Sequence, residues 1–451
     1  MKRINKNIYA TLVFCLAAFL MSCGNSPELV SQEDVSKATP EMAPESIYGY
    51  SLLPVSVDSQ WGFMNTSGEI VIEPVFQQVH AFSDNGLAPV QVDNLWGLIN
   101  NKGEFVVEPQ FDYMHHQFSM GLIGAGIVEP GEFGFLNKDG DWAIAPTDIL
   151  AGHFNEEGLA VFSINEQYGV MDINRNILIE PMYDFIFDAA LLDWEQVPFL
   201  LNDQWGSMNR QGEVVIEATF DSLFHFDKAG MARIESHEGC TFVDLQGEVL
   251  FSVEADQCDD FVGDYARVTK DGKWGYINRT GKQTIDFEYD DVSVGGFDHD
   301  LAAVMKDGLW GFINPKGEWV IEPAYDLTNG IVSDGLIAVQ ENERWGFIDL
   351  QGTYVIQPNL LNHGPFINGI AWIVNEEGKV GYMDSQGNIV IEPRFDRIMS
   401  SSALPKGYSF SDDGFALVKE ENSLGIIDLQ GKYVLPPTIE RILLDGVEVL
   451  Q

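Results

Sequence analysis

Basic side chains are scarce in this 451-residue sequence, where 25 Lys and Arg stand against 69 Asp and Glu. A field of that sign repels phosphate backbones and anionic headgroups, which excludes nucleic acid as a partner and favours basic proteins or divalent cations. Cysteine is nearly absent, with four residues, and Cys15 lies inside an N-terminal apolar run. That run, Ile8 to Met21, has 14 residues and is too short to span a bilayer. Catalytic signatures are missing as well: the sequence holds no GxSxG, HExxH, GxxxxGK[ST] or CxxC, and Gly124-Ala-Gly126 lacks the third glycine of a dinucleotide loop. No enzyme class and no cofactor finds support. What is present is apolar substance, 45% hydrophobic and 12% aromatic, so the chain is not an acidic disordered tail.

Lys2, Arg3 and Lys6 precede the apolar run, and Ser22 stands before Cys23, the order of a signal peptide over residues 1–22. The cysteine at that place resembles the lipobox of bacterial lipoproteins, which implies cleavage before Cys23 and acyl chains on it. Loss of the three basic residues leaves 22 against 69 and a net charge of −47. From Gly24 to Ser46 the chain is rich in Pro, Glu and Ser and poor in large apolar residues, so residues 23–49 read as a lipidated cysteine and a disordered tether. The folded domain is expected over 50–451.

Within that domain the sequence repeats itself. WGFMNTSGEIVIEPVF begins at Trp61 and WGLINNKGEFVVEPQF at Trp96. Counting from the first residue of that motif, copies begin at Trp61, Trp96, Phe133, Tyr168, Trp205, Cys240, Trp274, Trp310, Trp345, Val380 and Leu424, spaced 34 to 37 residues until a last gap of 44. The next position is glycine except at Thr241, as in Gly62, Gly97, Gly206, Gly275, Gly311 and Gly346. Position four is Asn or Asp in every copy, as in Asn65, and position seven is glycine except at Arg175, as in Gly68. Asn or Asp opening a four-residue turn that glycine closes predicts a type I turn between two short strands. The flanks are β-branched and aromatic, as strands should be. Pro74, Pro109, Pro181, Pro323 and Pro393 are expected to end the second strand, because proline lacks a ladder donor. The strand glycine is expected to let a cross-strand aromatic lie over bare backbone rather than to mark a bulge. An aromatic-Asp step, as in Phe111-Asp112 and Tyr325-Asp326, then leads to a Gly-Leu-Ala strand that returns to the next copy.

The pattern resembles the WG-containing repeat (WG β repeat) family of bacterial secreted and envelope proteins, over Tyr50 to Gln451. The resemblance implies an all-β interaction module without defined chemistry. A unit of about 36 residues cannot bury its own core, so stability must come from stacking copy on copy. Three or four antiparallel strands per copy permit an open superhelical array or one or two closed propellers. The open array is favoured, since eleven copies exceed the usual blade number and the 44-residue gap breaks a closing symmetry.

Against that register, Glu73, Glu108, Glu180, Glu322 and Glu392 are one strand-end residue repeated, not catalytic dyads. The acidic stretch with Glu254, Asp256, Asp259, Asp260 and Asp264 reads as a solvated loop rather than a calcium site. Cys240 and Cys258 are candidates for a disulfide in an oxidising compartment. His80, His115, His116, His153, His225 and His363 fall 18 to 20 residues into their copies, but at adjacent positions, which in a strand face opposite ways, so no metal ladder is expected. The functional expectation is a non-enzymatic lipoprotein at the cell envelope, held through its N-terminal lipid only and binding another protein or a polysaccharide. The inserted segment Met399 to Gly414 is the local candidate for that surface. A carboxylate-based glycan hydrolase and a purely structural spacer are the alternatives.

Overall fold

The structure is a computed structural model that describes residues 46–129, 131–187, 196–209, 211–221, 226–236, 239–397, 409–411, 413–444 and 447–450. The signal segment, Cys23, most of the tether, His225 and most of the 399–414 insertion lie outside the described residues. Among the described residues every regular element is a strand, and the strands form eleven small antiparallel sheets. Blade 2 shows the plan. A short inner strand, Gln78–Val79, pairs with Leu87–Val92, which pairs with the Trp-Gly strand Leu95–Asn100, which pairs with the outer strand Phe105–Phe111. The sequence repeat is therefore offset from the blade: a copy supplies the last two strands of one blade and the first two of the next, with only three strands described in the blades that begin at Ala232 and Phe415.

That offset explains the packing. The two middle strands of blade 1, Leu52–Val57 and Gln60–Asn65, each bury four consecutive residues, so both of their faces are covered. The covering comes from the neighbouring blades. Eleven apolar clusters can be traced, and each joins two successive sheets. Trp61, Phe63 and Phe76 of blade 1, for instance, pack with Val79, Ala88 and Val90 of blade 2.

The eleventh cluster joins the last blade to the first, with Leu417, Leu424, Ile426 and Leu435 packed with Ile47, Leu53, Val55 and Met64. The chain closes through hydrogen bonds too. Arg441–Leu444 pairs with Leu52–Val57 as the missing inner strand of blade 1, in the register Val55 to Ile442 and Ser56 to Arg441, and Val447–Leu450 adds one strand more. The fold is an eleven-bladed closed propeller, not the open superhelical array favoured on sequence grounds. Blade number did not prevent closure, and the long gap after Val380 is taken up between Asp396, bridged to Lys419, and the strand Phe415–Glu420, leaving the ring unbroken. Ile47 is fully buried in the closing cluster and Tyr48 packs against it, so these residues belong to the fold and not to the tether.

One further expectation gives way and another holds only in part. The outer strand runs through its proline, as in Ile70–Phe76 around Pro74, instead of ending there. Trp61 pairs with Phe76 and Phe63 with Ile72, so three residues, Glu73 to Val75, bulge opposite the single Gly62. A Cβ on Gly62 would lie 2.5 Å from the Ile72 carbonyl oxygen and 2.7 Å from the Pro74 nitrogen. The Trp-Gly glycine is thus required by the bulge of its neighbour's backbone, and in several copies by a ring as well: a Cβ on Gly169 would lie 2.9 Å from the ring of Phe162 and one on Gly206 2.7 Å from that of Phe199, each the cross-strand partner in register, so an aromatic does lie over bare backbone there. Proline suits that bulge because it sits on the edge strand, where no ladder donor is needed, and it guards the edge against further pairing.

Candidate functional site

The residues repeated most strictly are all committed to the scaffold. In each of the eleven copies the position-four side chain accepts two backbone amides: Asn65 Oδ1 from Ser67 and Glu69, Asn100 Oδ1 from Lys102 and Glu104, and so on to Asp428 Oδ1 from Gln430 and Lys432. Gly68 completes its turn at φ 83° with its amide donating to the Asn65 carbonyl. The aspartate of the aromatic-Asp step also has a task that its spacing did not reveal. It accepts an amide from the hairpin turn beside the Trp-Gly strand: Asp112 from Val128 at 2.9 Å, Asp184 from Asn202 at 2.7 Å, Asp326 from Asn342 at 2.8 Å and Asp396 from Glu421 at 2.8 Å. Two of those turns carry two successive positive-φ residues, Asn202-Asp203 and Asn342-Glu343, as tight two-residue hairpins require. At the closure Glu440 takes the aspartate's place and accepts the Ser59 amide at 3.0 Å, across 381 residues. Arg441 donates to Ser56 Oγ at 3.2 Å and lies 5.2 Å over the Trp61 ring.

The Trp-Gly aromatics are interblade core. Trp61 and Trp96 are buried, and Trp205, Trp274, Trp310 and Trp345 are partly buried against the next blade. The glutamates before proline, Glu73, Glu108, Glu180, Glu322 and Glu392, are exposed one per outer strand on separate blades. Beside them the outer strands leave Val71, Val106, Leu178, Leu250, Val320, Val355 and Val390 exposed, an apolar row around the rim.

Between blades 6 and 7 the chain is differently held. Cys240 and Cys258 form a disulfide with Cα atoms 6.2 Å apart, and both sulfurs sit in the apolar cluster that joins the two blades. The acidic stretch around them is taken up by cations: Asp260 meets Arg233 at 3.1 Å, Asp259 meets Arg267, Glu254 meets Lys270 at 3.2 Å and Asp264 meets Arg279 at 3.8 Å. Asp256 accepts the Gly272 amide at 3.1 Å.

The histidines of blades 2 to 4 do come together. The centroids of His115 and His153 are 4.1 Å apart, those of His116 and His153 4.9 Å, and those of His80 and His116 6.1 Å. Strand alternation does not separate them, because each follows the end of its inner strand: Gln78–Val79, Tyr113–Met114 and Leu150–Ala151. His115 is buried against Gly124, where a Cβ would come within 2.6 Å of the ring, and beside Phe135 at 5.8 Å. His80 stacks on Trp96 at 5.0 Å. Burial holds His80 and His153 down to about 4 and His115 to about 3, with further lowering by neighbouring rings, and burial lowers His116 as well. The Nδ1 atoms of His115 and His153 are buried without a hydrogen-bond partner among the described residues. Among those residues no group of three or more His, Cys, Asp or Glu is arranged to hold a metal ion. His363 stands apart, between Trp345 and Phe347, with its Nδ1–H donating to the Gly364 carbonyl at 2.9 Å.

Of the 399–414 insertion, Phe410 is buried against Tyr382, and Ser411 caps the turn into Phe415 at 3.1 Å.

The sequence model of the WG containing repeat matches residues 61–96, 96–125, 168–189, 205–237, 241–274, 274–310, 310–345, 345–379 and 381–403, together more than half of the chain. No curated protein matches. Among solved structures, a eukaryotic initiation factor is similar at 12% identity over 67% of this chain and 92% of its own, with a TM-score of 0.37. BamB from Moraxella catarrhalis is 14% identical over 60% of this chain and 96% of its own, with a TM-score of 0.27. A B. thetaiotaomicron extracellular domain assigned to a one component system is 12% identical over 87% of this chain and 65% of its own, also at 0.27. At such scores these likenesses place no constraint on function.

Proposed function

Because the chain belongs to the WG containing repeat family, we propose that it acts as a non-enzymatic binding ring, displayed at the bacterial cell envelope by a lipid on Cys23 and engaging another protein or a polysaccharide. The observation that carries this reading is the commitment of every repeated Asn and Asp to backbone amides. The repeat builds a rigid closed frame, and recognition falls to the side chains and loops in which the blades differ. The 69 acidic side chains favour a partner surface of basic character.

The test is affinity capture from cross-linked cell envelopes with the intact chain and with residues 399–408 deleted. The deletion stops before Phe410 and Ser411, which belong to the core and its turn. A reproducible partner lost on deletion supports both the reading and this surface, and a partner captured equally by both chains places the surface elsewhere on the ring. No reproducible partner, with an unchanged envelope when the gene is lost, overturns the reading. Turnover of a glycan panel that is abolished by replacing one pair of carboxylates would put a hydrolase in its place.

A further inference from the structure

The histidines of blades 2 to 4 are used neither by the repeat scaffold nor by the binding reading. We propose that His80, His115, His116 and His153 form an acid-operated latch: neutral and packed, they hold three successive blades together, and when protonated they push those blades apart.

The geometry gives the mechanism. The four rings come from three blades and meet across both interfaces, so charge on His116 together with His80 or His153, or on His115 together with His153, repels across a blade boundary. Trp96 faces them from blade 2, and Tyr113 and Phe135 from blade 3. Among the described residues Tyr113 is the one other titratable group in ring contact, and it stays neutral because burial raises its pKa. Asp112, three residues before His115, is turned away to the Val128 amide. The electrostatic couplings that act on His80, His115 and His153 are to one another and to His116, and each opposes charge.

The cluster is also local. At the same step blade 7 carries Asp259 and Asp260, paired with Arg267 and Arg233, and blade 8 carries Ser293.

The sign follows from linkage. A histidine whose pKa is lower folded than unfolded gives stability that is complete above about 6.5 and is lost as pH falls toward the folded value. With a folded value of about 4, as for His80 and His153, opening is favoured about tenfold per group at pH 5.5. Carboxylate titration acts in the other direction by relieving the net negative charge, but it does so around the whole ring.

Hydrogen exchange read by mass spectrometry on the mature chain at pH 7.5 and 5.5, corrected for intrinsic rates, separates the two effects. Protection in peptides from residues 76–172 is expected to fall tenfold or more relative to peptides from residues 283–325, which lie apart from the buried His363. In His115→Gln/His153→Gln that difference is expected to shrink tenfold or more. If the double variant does not fold, His116→Gln, at the exposed member, is expected to shrink the difference by removing its repulsion of the other three. Equal loss in all blades, or an undiminished difference in the variants that fold, overturns the latch.

Discussion

Replacing Gly97 by alanine tests the explanation of the Trp-Gly motif at its most exacting point. The added Cβ would lie 2.5 Å from the Val107 carbonyl oxygen, 2.8 Å from the Pro109 nitrogen and 3.0 Å from the Glu108 carbonyl carbon. All three atoms are backbone, so no rotamer change relieves the contact. The outer strand of blade 2 must retreat by roughly half an ångström or more from a ladder that pairs Trp96 with Phe111 and Leu98 with Val107. Overpacking of this kind costs about 1–3 kcal/mol, and loss of ladder bonds around the bulge brings the expected total to about 2–4 kcal/mol. Two controls fix the scale. Gly86 has nothing within 4 Å of a Cβ but holds φ +76°, so Gly86→Ala should cost about 1 kcal/mol through backbone strain alone. Gly295 has neither contact nor positive φ, and Gly295→Ala should be neutral or stabilising by about 0.4–1 kcal/mol through the unfolded chain. Urea midpoints followed by tryptophan fluorescence give the order. A Gly97→Ala midpoint equal to that of Gly86→Ala or nearer to wild type would refute the bulge as the reason for the glycine.

Removing the disulfide with Cys240→Ala/Cys258→Ala opens a link across 18 residues and should lower stability by up to about 3 kcal/mol, read from the urea midpoint; alkylation of both cysteines in the native chain under non-reducing conditions would show that no bond exists. Asp326→Ala removes the acceptor of the Asn342 amide and should cost about 1 kcal/mol, while Asp326→Asn, which keeps an acceptor oxygen, should recover most of it; equal losses would deny the cap its role. Asn100→Ala leaves the Lys102 and Glu104 amides without their acceptor and should cost about 1–2 kcal/mol in thermal unfolding, more than Glu108→Ala on the exposed outer strand, with the reverse order counting against the turn assignment.

The blades were legible because their determinants are local. Asn at position four and glycine at position seven lie within one turn, and the β-branched flanks announce strands on either side. The ring was not, because closure rests on pairing between Ser56 and Arg441, 385 residues apart, for which no local pattern speaks. A signal was nevertheless present. Ile439-Glu440-Arg441 stands at the place of the aromatic-Asp step, while among the described residues no inner strand precedes Leu52–Val57. One loose inner strand at the end and one missing at the start are complementary. The bulge escaped notice because period-two reasoning treats proline as a terminator, whereas a wide bulge lets Pro74 sit inside the outer strand. The histidines escaped for a related reason: alternation of faces holds along a strand, and these rings lie just beyond the ends of strands two residues long.

The closed ring is tested most directly by joining its two ends. Val55 and Ile442 are register partners in blade 1, and both are fully buried. In a chain carrying Val55→Cys and Ile442→Cys, mild oxidation should form an intramolecular disulfide in the monomer, seen as one linked peptide pair by mass spectrometry, with each single variant forming none. An open array leaves these positions on opposite ends of the molecule; a double variant whose two thiols stay free in the folded monomer, or link only between molecules, would contradict closure.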